Sequence, residues 1–522
     1  MLVSIQNFLR GPYSLYDEEA HTVEQIQQPP TQKWLPGDRV DPTTNKLTRS
    51  AADHRDIVGI VDFLNRTGQG FSARGIPLYM FHPLHKGYPP MIVSSKTNPK
   101  CNQLVKVNLE HWNEKWPRAG IQTVLGNVGS EVEQLAYLQS VALPKNTHNQ
   151  TIASFRKHQH QVYEGFAFHI DPEGCQDVDD ILSWREIQGG HEFAIGIADV
   201  AAWIGEEAEE NTYAQRLGQT IYVEGKPVVP MLPEHVSTQL ASLRSDGSER
   251  PVLAYIFTIR DGVCVSKRWE QQLVRVQRTY SYDTILDDEE VANKLRTFLQ
   301  IVYKGPISDD SHRWIEIAMI LYNQAAAILL KEHAMGVLRS QPEGRSAAEW
   351  QTLAQQTKCP ELAFFGYGAG KYVKSTEPDV GHTGLQLDVY CHASSPLRRY
   401  ADLYNQRCLH HILFQAEKPK RIVNWNHLNE QAKRIKHLER ELWFLQHLRT
   451  DTITEVEGFL LKQKKGGEHC WSVYVPMWKR TVPAKSHTKI QSMPGNKVCV
   501  RAYTNLKAVS EHRIICSFAP YE

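Results

Sequence analysis

The sequence predicts a multidomain α+β protein in which a central α/β domain is flanked by small OB-type β-barrels. A chain of 522 residues is too long for one hydrophobic core and points to about two to four domains. Short β-type runs broken by Gly and Pro occupy residues 51–150 and 449–522, and this spacing favours small barrels. Strand-like and then helical patterns fill residues 151–448 between them.

The composition limits the class of protein and its partners. With 41% hydrophobic and 22% charged residues and a net charge of +1, any nucleic-acid binding must come from local basic surfaces. Nine scattered cysteines without a CxxC pair favour free thiols in a reducing compartment. The N-terminus lacks a signal-peptide core, and no apolar run approaches the ~18 residues of a membrane span. We therefore expect a soluble intracellular protein, cytoplasmic in the simplest case, without a membrane partner; the nucleus or an organelle is left open.

The four segments have different characters. Residues 1–50, rich in Gln, Pro, Thr and Glu, predict a partly disordered N-terminal extension. Residues 51–150, with runs such as DIVGIVDFL, predict the first barrel. In residues 151–448, strands are followed by helices over 314–336, from SSPLRRYADL onward, and from Trp425 onward. The last segment, 449–522, predicts a second barrel.

The last segment is also basic. It holds 12 Lys and Arg against 6 Asp and Glu, interleaved with Trp471, Tyr474 and Trp478. Basic charge among aromatic rings suits single-stranded nucleic acid. A solvated basic face is the alternative interpretation.

The densest chemical signal is the acidic run HIDPEGCQDVDD. It carries Asp171, Glu173, Asp177, Asp179 and Asp180 with no Lys or Arg between them, and strand-like segments flank it. Carboxylates at this density repel one another unless a cation joins them, and hard oxygen ligands favour Mg²⁺ or Mn²⁺ over zinc. An acidic surface loop and a DxD nucleotide-sugar site remain as alternatives.

A second signal lies in SSPLRRYADL, where a serine N-cap and Pro396 predict a helix start. Arg398 and Arg399 then fall in the first turn, where cations are unfavourable for the helix dipole but anions bind. This favours phosphate binding; an ion pair of Arg398 with Asp402 is the alternative. Two further acids are ambiguous: Asp199, for which we prefer a capped turn at the end of a strand, and Glu316 on the apolar helix.

Five ordered segments carry a resemblance to a known family. They are AFHIDPEGCQDVDDIL, FAIGIADVAAWI, QTIYVEGKPVVPMLPEHVSTQLASL, IEIAMILYNQAA and HTGLQLDVYCHASSPLRRYADL. In order and spacing they resemble the RNase II/RNB family, which includes RNase R and the catalytic nuclease of the eukaryotic exosome. The resemblance implies an RNB-type catalytic domain between a cold-shock-like barrel, which would bind RNA, and an S1-like barrel.

The resemblance also implies an activity and its residues. It implies a 3′-to-5′ exoribonuclease that hydrolyses single-stranded RNA to nucleoside 5′-monophosphates in RNA degradation or processing, by a two-metal mechanism with Mg²⁺ or, alternatively, Mn²⁺. The implied metal ligands are Asp171, Asp177, Asp179 and Asp180. The implied catalytic residues are Asp179, Arg398 and Tyr222. The implied RNA-binding residues are Tyr222, Tyr282, Glu316, Arg398 and Arg399. A catalytically silent RNA-binding relative with the same fold is the alternative.

Some positions depart from the family pattern. Cys391 and Ala393 stand where Thr and an aromatic residue are common, and we expect looser packing near Arg398. Only one complete cold-shock domain is apparent, because residues 1–50 do not match a first one. We expect a monomeric enzyme with single-stranded RNA as its partner. The missing N-terminal endonuclease-like domain argues against an exosome-like complex and leaves that membership open.

Overall fold

The structure is a computed structural model, and its chain divides into two compact units. Unit 1 comprises Met1–Pro144, Ala347–Gly366 and Lys436–Glu522, and unit 2 comprises Lys145–Ser346 and Tyr367–Ile435. The residues described are 1–5, 8–9, 11, 13–16, 23–26, 33–41, 43–44, 46–49, 54–65, 69–129, 136, 161–223, 225–303, 305–344, 346–421, 423–447, 453–464, 469–486, 493–505, 509 and 514–520.

The N-terminal segment of unit 1 contains a small β-sheet. Its strands are β1 (Leu2–Ile5), β2 (Tyr13–Tyr16), β3 (Val23–Ile26), β4 (Arg39–Val40) and β5 (Leu47–Thr48), in the order β3-β2-β1-β4-β5. Ile5, Tyr13, Trp34 and Val40 are buried together in its core. The predicted N-terminal extension therefore carries a β-sheet in its described residues, and its partly disordered character stays a prediction. Strands of two to four residues are too short to show the alternation on which a strand prediction depends.

Two closed five-stranded barrels follow the same plan. The first contains β6 (Ile57–Val61), β7 (Leu78–Pro83), β8 (Met91–Ser94), β9 (Gln103–His111) and β10 (Arg118–Asn127). The second contains β22 (Thr454–Gln463), β23 (Cys470–Val475), β24 (Arg480–Ser486), β25 (Lys497–Thr504) and β26 (Ile514–Pro520). In each, the third strand pairs in parallel with the fifth, and the fourth pairs with the first and the fifth. This Greek-key closure is that of an OB barrel, which confirms the predicted flanking barrels.

Residues 347–366, which the sequence analysis included in the 151–448 segment, group with unit 1 in the structure. They contain helix α5 (Ala347–Thr357). Ala354 and Leu362 share a buried cluster with Phe459, Leu461 and Tyr474 of the second barrel. This long-range packing crosses about 100 residues of sequence and leaves no local signal.

Unit 2 is built on a seven-stranded sheet with the order β11-β18-β17-β14-β13-β12-β19. Its strands are β11 (Gln161–Val162), β12 (Phe166–Ile170), β13 (Asp180–Ile187), β14 (Gly190–Ala198), β17 (Glu249–Arg260), β18 (Val263–Arg275) and β19 (Arg278–Tyr280). Two two-stranded sheets are separate from it: β15 (Ile221–Val223) with β16 (Lys226–Val229), and β20 (Val337–Ser340) with β21 (Lys371–Lys374).

Helices complete unit 2, and the last one continues into unit 1. They are α1 (Glu209–Leu217), α2 (Thr284–Asp287), α3 (Glu289–Val302), α4 (Ser311–Glu332), α6 (Tyr400–Phe414) and α7 (Trp425–His447). Phe298 of α3 stacks on Phe193 of β14, and Tyr322 of α4 meets Trp269 of β18, so aromatic contacts fix both helices on one face of the sheet.

Helix α4 has the length and apolar composition of a membrane-spanning helix, although the sequence analysis found no such run. By length and composition alone this helix could cross a membrane. However, 56% of its apolar 18-residue stretch is buried inside the protein. Trp314 and Tyr322 are among its fully buried side chains. Packing against the sheet accounts for this apolar character.

Candidate active site

The acidic run forms a loop at one end of the seven-stranded sheet, between β12 and β13. Asp180 is the first residue of β13, and the backbone N–H of Asp171 donates to the carbonyl of Tyr280, 3.1 Å away. The buried hydroxyl of Ser242 accepts from the N–H of Val178 at 3.0 Å and donates to the carbonyl of Gln176 at 2.7 Å. The loop is therefore anchored in the fold, which is not the arrangement of a freely solvated acidic loop.

Asp179 is the centre of the site. It is 4% exposed. Its Oδ1 accepts the backbone N–H of Leu397 at 2.9 Å, and its Oδ2 accepts the Arg398 Nε–H at 3.0 Å. One buried carboxylate thus holds the segment that carries Arg398 and joins two motifs that are distant in the sequence.

Arg398 lies in a turn before α6, so its predicted place in the first helical turn is wrong. Helix α6 begins at Tyr400, and Arg399 is its N-cap in an extended conformation. The turn is held by long-range backbone contacts: Thr220 donates to the carbonyl of Arg398, and Tyr400 donates to that of Gly218, both at 2.9 Å. The ion pair with Asp179 and these backbone hydrogen bonds keep Arg398 outside the helix.

Tyr222 follows the same contact segment, on the short strand β15. Its hydroxyl donates a hydrogen bond to Oδ2 of Asp177. Burial, followed by this hydrogen bond and the charge of Asp177, raises the pKa of Tyr222, so the phenol keeps its proton. The structure therefore joins Tyr222, Asp177, Asp179 and Arg398 in one constellation.

The carboxyl groups of the loop disfavour one another's charge. Burial raises the pKa of Asp179 to about 7, opposed by Arg398 and the Leu397 N–H and reinforced by Asp177. Burial also raises the pKa of Asp180 well above its ordinary value, and Asp171 and Asp179 add to that rise. A cation among these groups would offset the burial and the mutual repulsion that raise both pKa values.

The donor set fits a hard divalent cation by its chemistry. Carboxylate oxygens from Asp171, Asp177, Asp179 and Asp180 are the ligands that Mg²⁺ and Mn²⁺ prefer. Among the described residues, however, no three acidic, His or Cys side chains converge in the geometry of a formed metal site. Three of these acids contact other side chains instead: Asp171 contacts His169, Asp177 contacts Tyr222, and Asp179 contacts Arg398.

Tyr282 lies in the same electrostatic environment. Its ring stacks on His312 of α4, with centroids 3.8 Å apart and planes 10° from parallel. Burial raises the pKa of Tyr282 to about 12, and Asp171 and Asp180 contribute. Glu316 follows His312 by one helical turn, on the same face of α4. Its side chain is 53% exposed and pairs with Arg313 at 2.7 Å. Within the part of the chain that the structure describes, no hydrogen bond or ion pair joins Glu316 to the acidic loop.

Arg399 has an internal partner. Its Nη2 donates to Oδ1 of Asp402 at 2.9 Å, and the fully buried Asp402 also accepts the N–H of Ser395. The alternative in which Asp402 pairs with Arg398 is therefore wrong. RNA binding by Arg399 stays a prediction. In the structure, the Arg399 guanidinium helps to hold the turn through its hydrogen bond to Asp402.

The segment before this turn is packed more tightly than its sequence suggested. Cys391 and Ala393 are 0% and 1% exposed. The thiol of Cys391 contacts the carbonyl of Asn323, and the Asn323 side chain accepts the N–H of Ala393 at 2.8 Å. The expectation of loose packing near Arg398 is therefore wrong, because Asn323 compensates for the smaller side chains.

Several supporting residues were missed by sequence reasoning. His169 and Cys175 lie inside the acidic run and contact Asp171 and Asp177, at 2.9 and 3.7 Å. Their proximity in sequence was an available signal. Ser242 and His312 come from distant segments of the chain, and no local pattern in the sequence indicated that they would lie near the site. The preference for Asp199 as a turn residue is confirmed, since its side chain caps a 3₁₀ turn through the N–H of Ala202.

Comparisons with known proteins agree on one family. The RNB domain model matches residues 159–297 and 264–415. Ribonuclease R of Buchnera aphidicola is 22% identical over 343 residues, covering 51% of this chain and 47% of that protein. Exosome complex exonuclease RRP44 of Mus musculus is 23% identical over 425 residues, covering 63% and 44%. The chain thus spans about half the length of the curated relatives it matches.

Solved structures extend the likeness to the whole fold. The apo form of Mycoplasma genitalium RNase R has a TM-score of 0.72 at 18% identity and covers 99% of this chain and 100% of its own. Yeast Ssd1, described as a pseudonuclease, has a TM-score of 0.64 at 14% identity and covers 88% and 69%. The family model and the ordered motifs agree: residues 159–415 are an RNB domain, the domain of the RNase II/RNB family.

Proposed function

We propose that this protein is a 3′-to-5′ exoribonuclease that hydrolyses single-stranded RNA to nucleoside 5′-monophosphates in the presence of Mg²⁺. The observation that carries the proposal is the pairing of Arg398 with the buried Asp179. It places a 43% exposed guanidinium directly beside the acidic loop. Hydrolysis of a phosphodiester needs acidic groups that hold metal ions on one side of the phosphate and a positive charge, such as a guanidinium, on the other side.

Each residue has a distinct task in this proposal. Arg398, oriented through Nε by Asp179 and through Nη2 by Ser395, neutralises charge that develops on the phosphate oxygens. Tyr222 fixes Asp177 and presents its ring near the scissile bond. The stacked pair of Tyr282 and His312 offers an aromatic surface for the terminal nucleotide. Bound Mg²⁺ at the carboxylates would supply Lewis-acid stabilisation and activation of water.

The named relatives support this choice of substrate. They include ribonuclease R, exoribonuclease 2 and exosome exonuclease proteins. RNase R of M. genitalium, similar in fold, has been seen with ribose-methylated single-stranded RNA and with double-stranded RNA. We therefore propose RNA as the substrate, and we propose that its 3′ end enters the active site.

A direct test uses a 5′-labelled oligoadenylate and purified protein. We expect stepwise shortening with Mg²⁺, nucleoside 5′-monophosphates as product and no reaction in EDTA. Asp179→Asn should reduce turnover by several orders of magnitude while RNA binding persists. The exposed Asp287 provides a matched control, and Asp287→Asn should behave as the wild type. Equal turnover by Asp179→Asn would contradict the proposal.

A silent RNA-binding protein is the second candidate. Two observations favour it: the likeness to the pseudonuclease Ssd1, and the absence of a converged metal site among the described side chains. The four retained aspartates oppose it. Tight binding of the oligoadenylate with no product at any Mg²⁺ or Mn²⁺ concentration would decide for this candidate.

A further inference from the structure

A chain of hydrogen bonds runs from the acidic loop to the surface of unit 2 through His169. His169 is on β12 and is 4% exposed. Its Nδ1 lies 2.9 Å from Oδ2 of Asp171, and its Nε2 lies 2.9 Å from Oγ1 of Thr279. Thr279, opposite His169 on the neighbouring strand β19, is in turn 2.5 Å from the hydroxyl of the exposed Ser245.

The donor and acceptor roles along this chain are mutually consistent. A carboxylate only accepts hydrogen bonds, so Nδ1 of His169 must carry the proton that Asp171 receives. In the neutral ring Nε2 is then the acceptor, and Thr279 donates to it. The Thr279 oxygen remains able to accept from Ser245. Every hydrogen bond then has one donor and one acceptor, and the ring is held at both nitrogens.

We propose that the Ser245–Thr279–His169 chain positions Asp171 for divalent-cation binding, with His169 as the positioning residue. His169 engages Oδ2 and leaves Oδ1 as the ligand oxygen. Hydrogen-bonding partners behind a metal ligand typically account for 10–100-fold in metal affinity. The inference rests on the proposed function for the identity of the cation, but it concerns an arrangement of side chains that can be measured without RNA.

The test measures Mn²⁺ affinity of the RNA-free protein by electron paramagnetic resonance, with melting temperatures recorded for every variant. We expect His169→Ala to weaken Mn²⁺ binding about 10–100-fold. His169→Asn should recover most of that loss, because its amide N–H lies near the position of Nδ1. Thr279→Val should weaken binding several-fold. Matched controls are His191→Ala, an exposed histidine on β14, and Thr258→Val, a buried threonine on β17; both should bind as the wild type.

The outcomes separate this inference from the proposed activity. Unchanged Mn²⁺ affinity in His169→Ala overturns the inference, even if the wild type degrades RNA. Equal losses in the Ala and Asn variants with equally lowered melting temperatures also overturn it, since the role would then be structural. If the wild type and variants follow the expected order but no RNA is degraded, the inference holds and the proposed activity fails.

Discussion

At the scale of single residues, the site depends on an unequal ion pair. Asp179 is buried and its pKa is raised to about 7, while the side chain of Arg398 is 43% exposed. The carboxylate bears most of the desolvation cost, and the guanidinium keeps an accessible surface for a ligand. This pair orients Arg398 through its Nε, while other N–H groups of the planar guanidinium fork remain available for a phosphate.

This geometry gives a prediction for Arg398. Arg398→Ala should lower kcat/KM about 10²–10³-fold, the usual effect of removing one preorganised donor from a transition state. Arg398→Lys should recover little, because an ammonium cannot reproduce the bidentate fork. Single-turnover kinetics on oligoadenylate measure both. Arg275→Ala, in an exposed pair with Glu249, is the control. A lysine variant with wild-type kinetics would contradict the proposed role of the fork.

Tyr222 combines two tasks that substitution can separate. Tyr222→Phe removes the hydrogen bond to Asp177 and keeps the ring. Because hydrogen bonds to charged groups contribute about 1.5–3 kcal/mol, we expect kcat to fall at least about 10-fold with little change in RNA affinity. Tyr222→Ala should weaken RNA affinity as well. Fluorescence anisotropy and single-turnover rates provide the two readouts, and equal affinities for Phe and Ala variants would argue against stacking.

At the scale of elements, the acidic loop is held by a residue outside it. Ser242 is fully buried and bonds to the backbone on both sides of Asp177. Ser242→Ala would leave the Val178 N–H and the Gln176 carbonyl without this partner. We expect a loss of about 1–3 kcal/mol in unfolding free energy together with lower activity, measured by urea denaturation and RNA turnover. Ser266→Ala, on an exposed strand position, should change neither.

The same scale shows what the sequence could and could not predict. The barrels and the acidic loop were predictable because alternation and charge density are local patterns. The true start of α6 was not, because Arg398 is drawn out of the helix by Asp179 and by the strand at Thr220. The N-terminal sheet was not, because its strands are too short to show a period. Local motifs therefore located the chemistry, and long-range contacts decided its geometry.

At the scale of the whole molecule, histidines with lowered pKa values make stability sensitive to pH. Burial lowers the pKa of His392 well below its ordinary value, with Arg399 and Arg339 adding to the effect. Burial, Lys86 and Arg440 lower the pKa of His437 to about 4. Such groups stay neutral in the folded chain but take up protons in the unfolded chain below about pH 6.5. Their contribution to stability is therefore full above that pH and declines as the pH falls toward the folded-state pKa.

Asp179 acts in the opposite direction over part of the same range. With its pKa raised to about 7, it binds a proton in the folded state before the unfolded chain does, so its contribution improves as the pH falls below 7. The pH dependence of the unfolding free energy of the wild-type protein therefore combines contributions of opposite sign.

A comparison between a histidine variant and the wild type isolates the contribution of that histidine. His437→Gln should reduce the loss of unfolding free energy between pH 7 and pH 5 by about 1 kcal/mol, after allowance for solvent screening at this partly exposed site. The exposed His191 supplies the control, and His191→Gln should keep the wild-type profile. Urea denaturation at the two pH values measures the difference; parallel profiles for His437→Gln and the wild type would mean that the ring is protonated equally in both states.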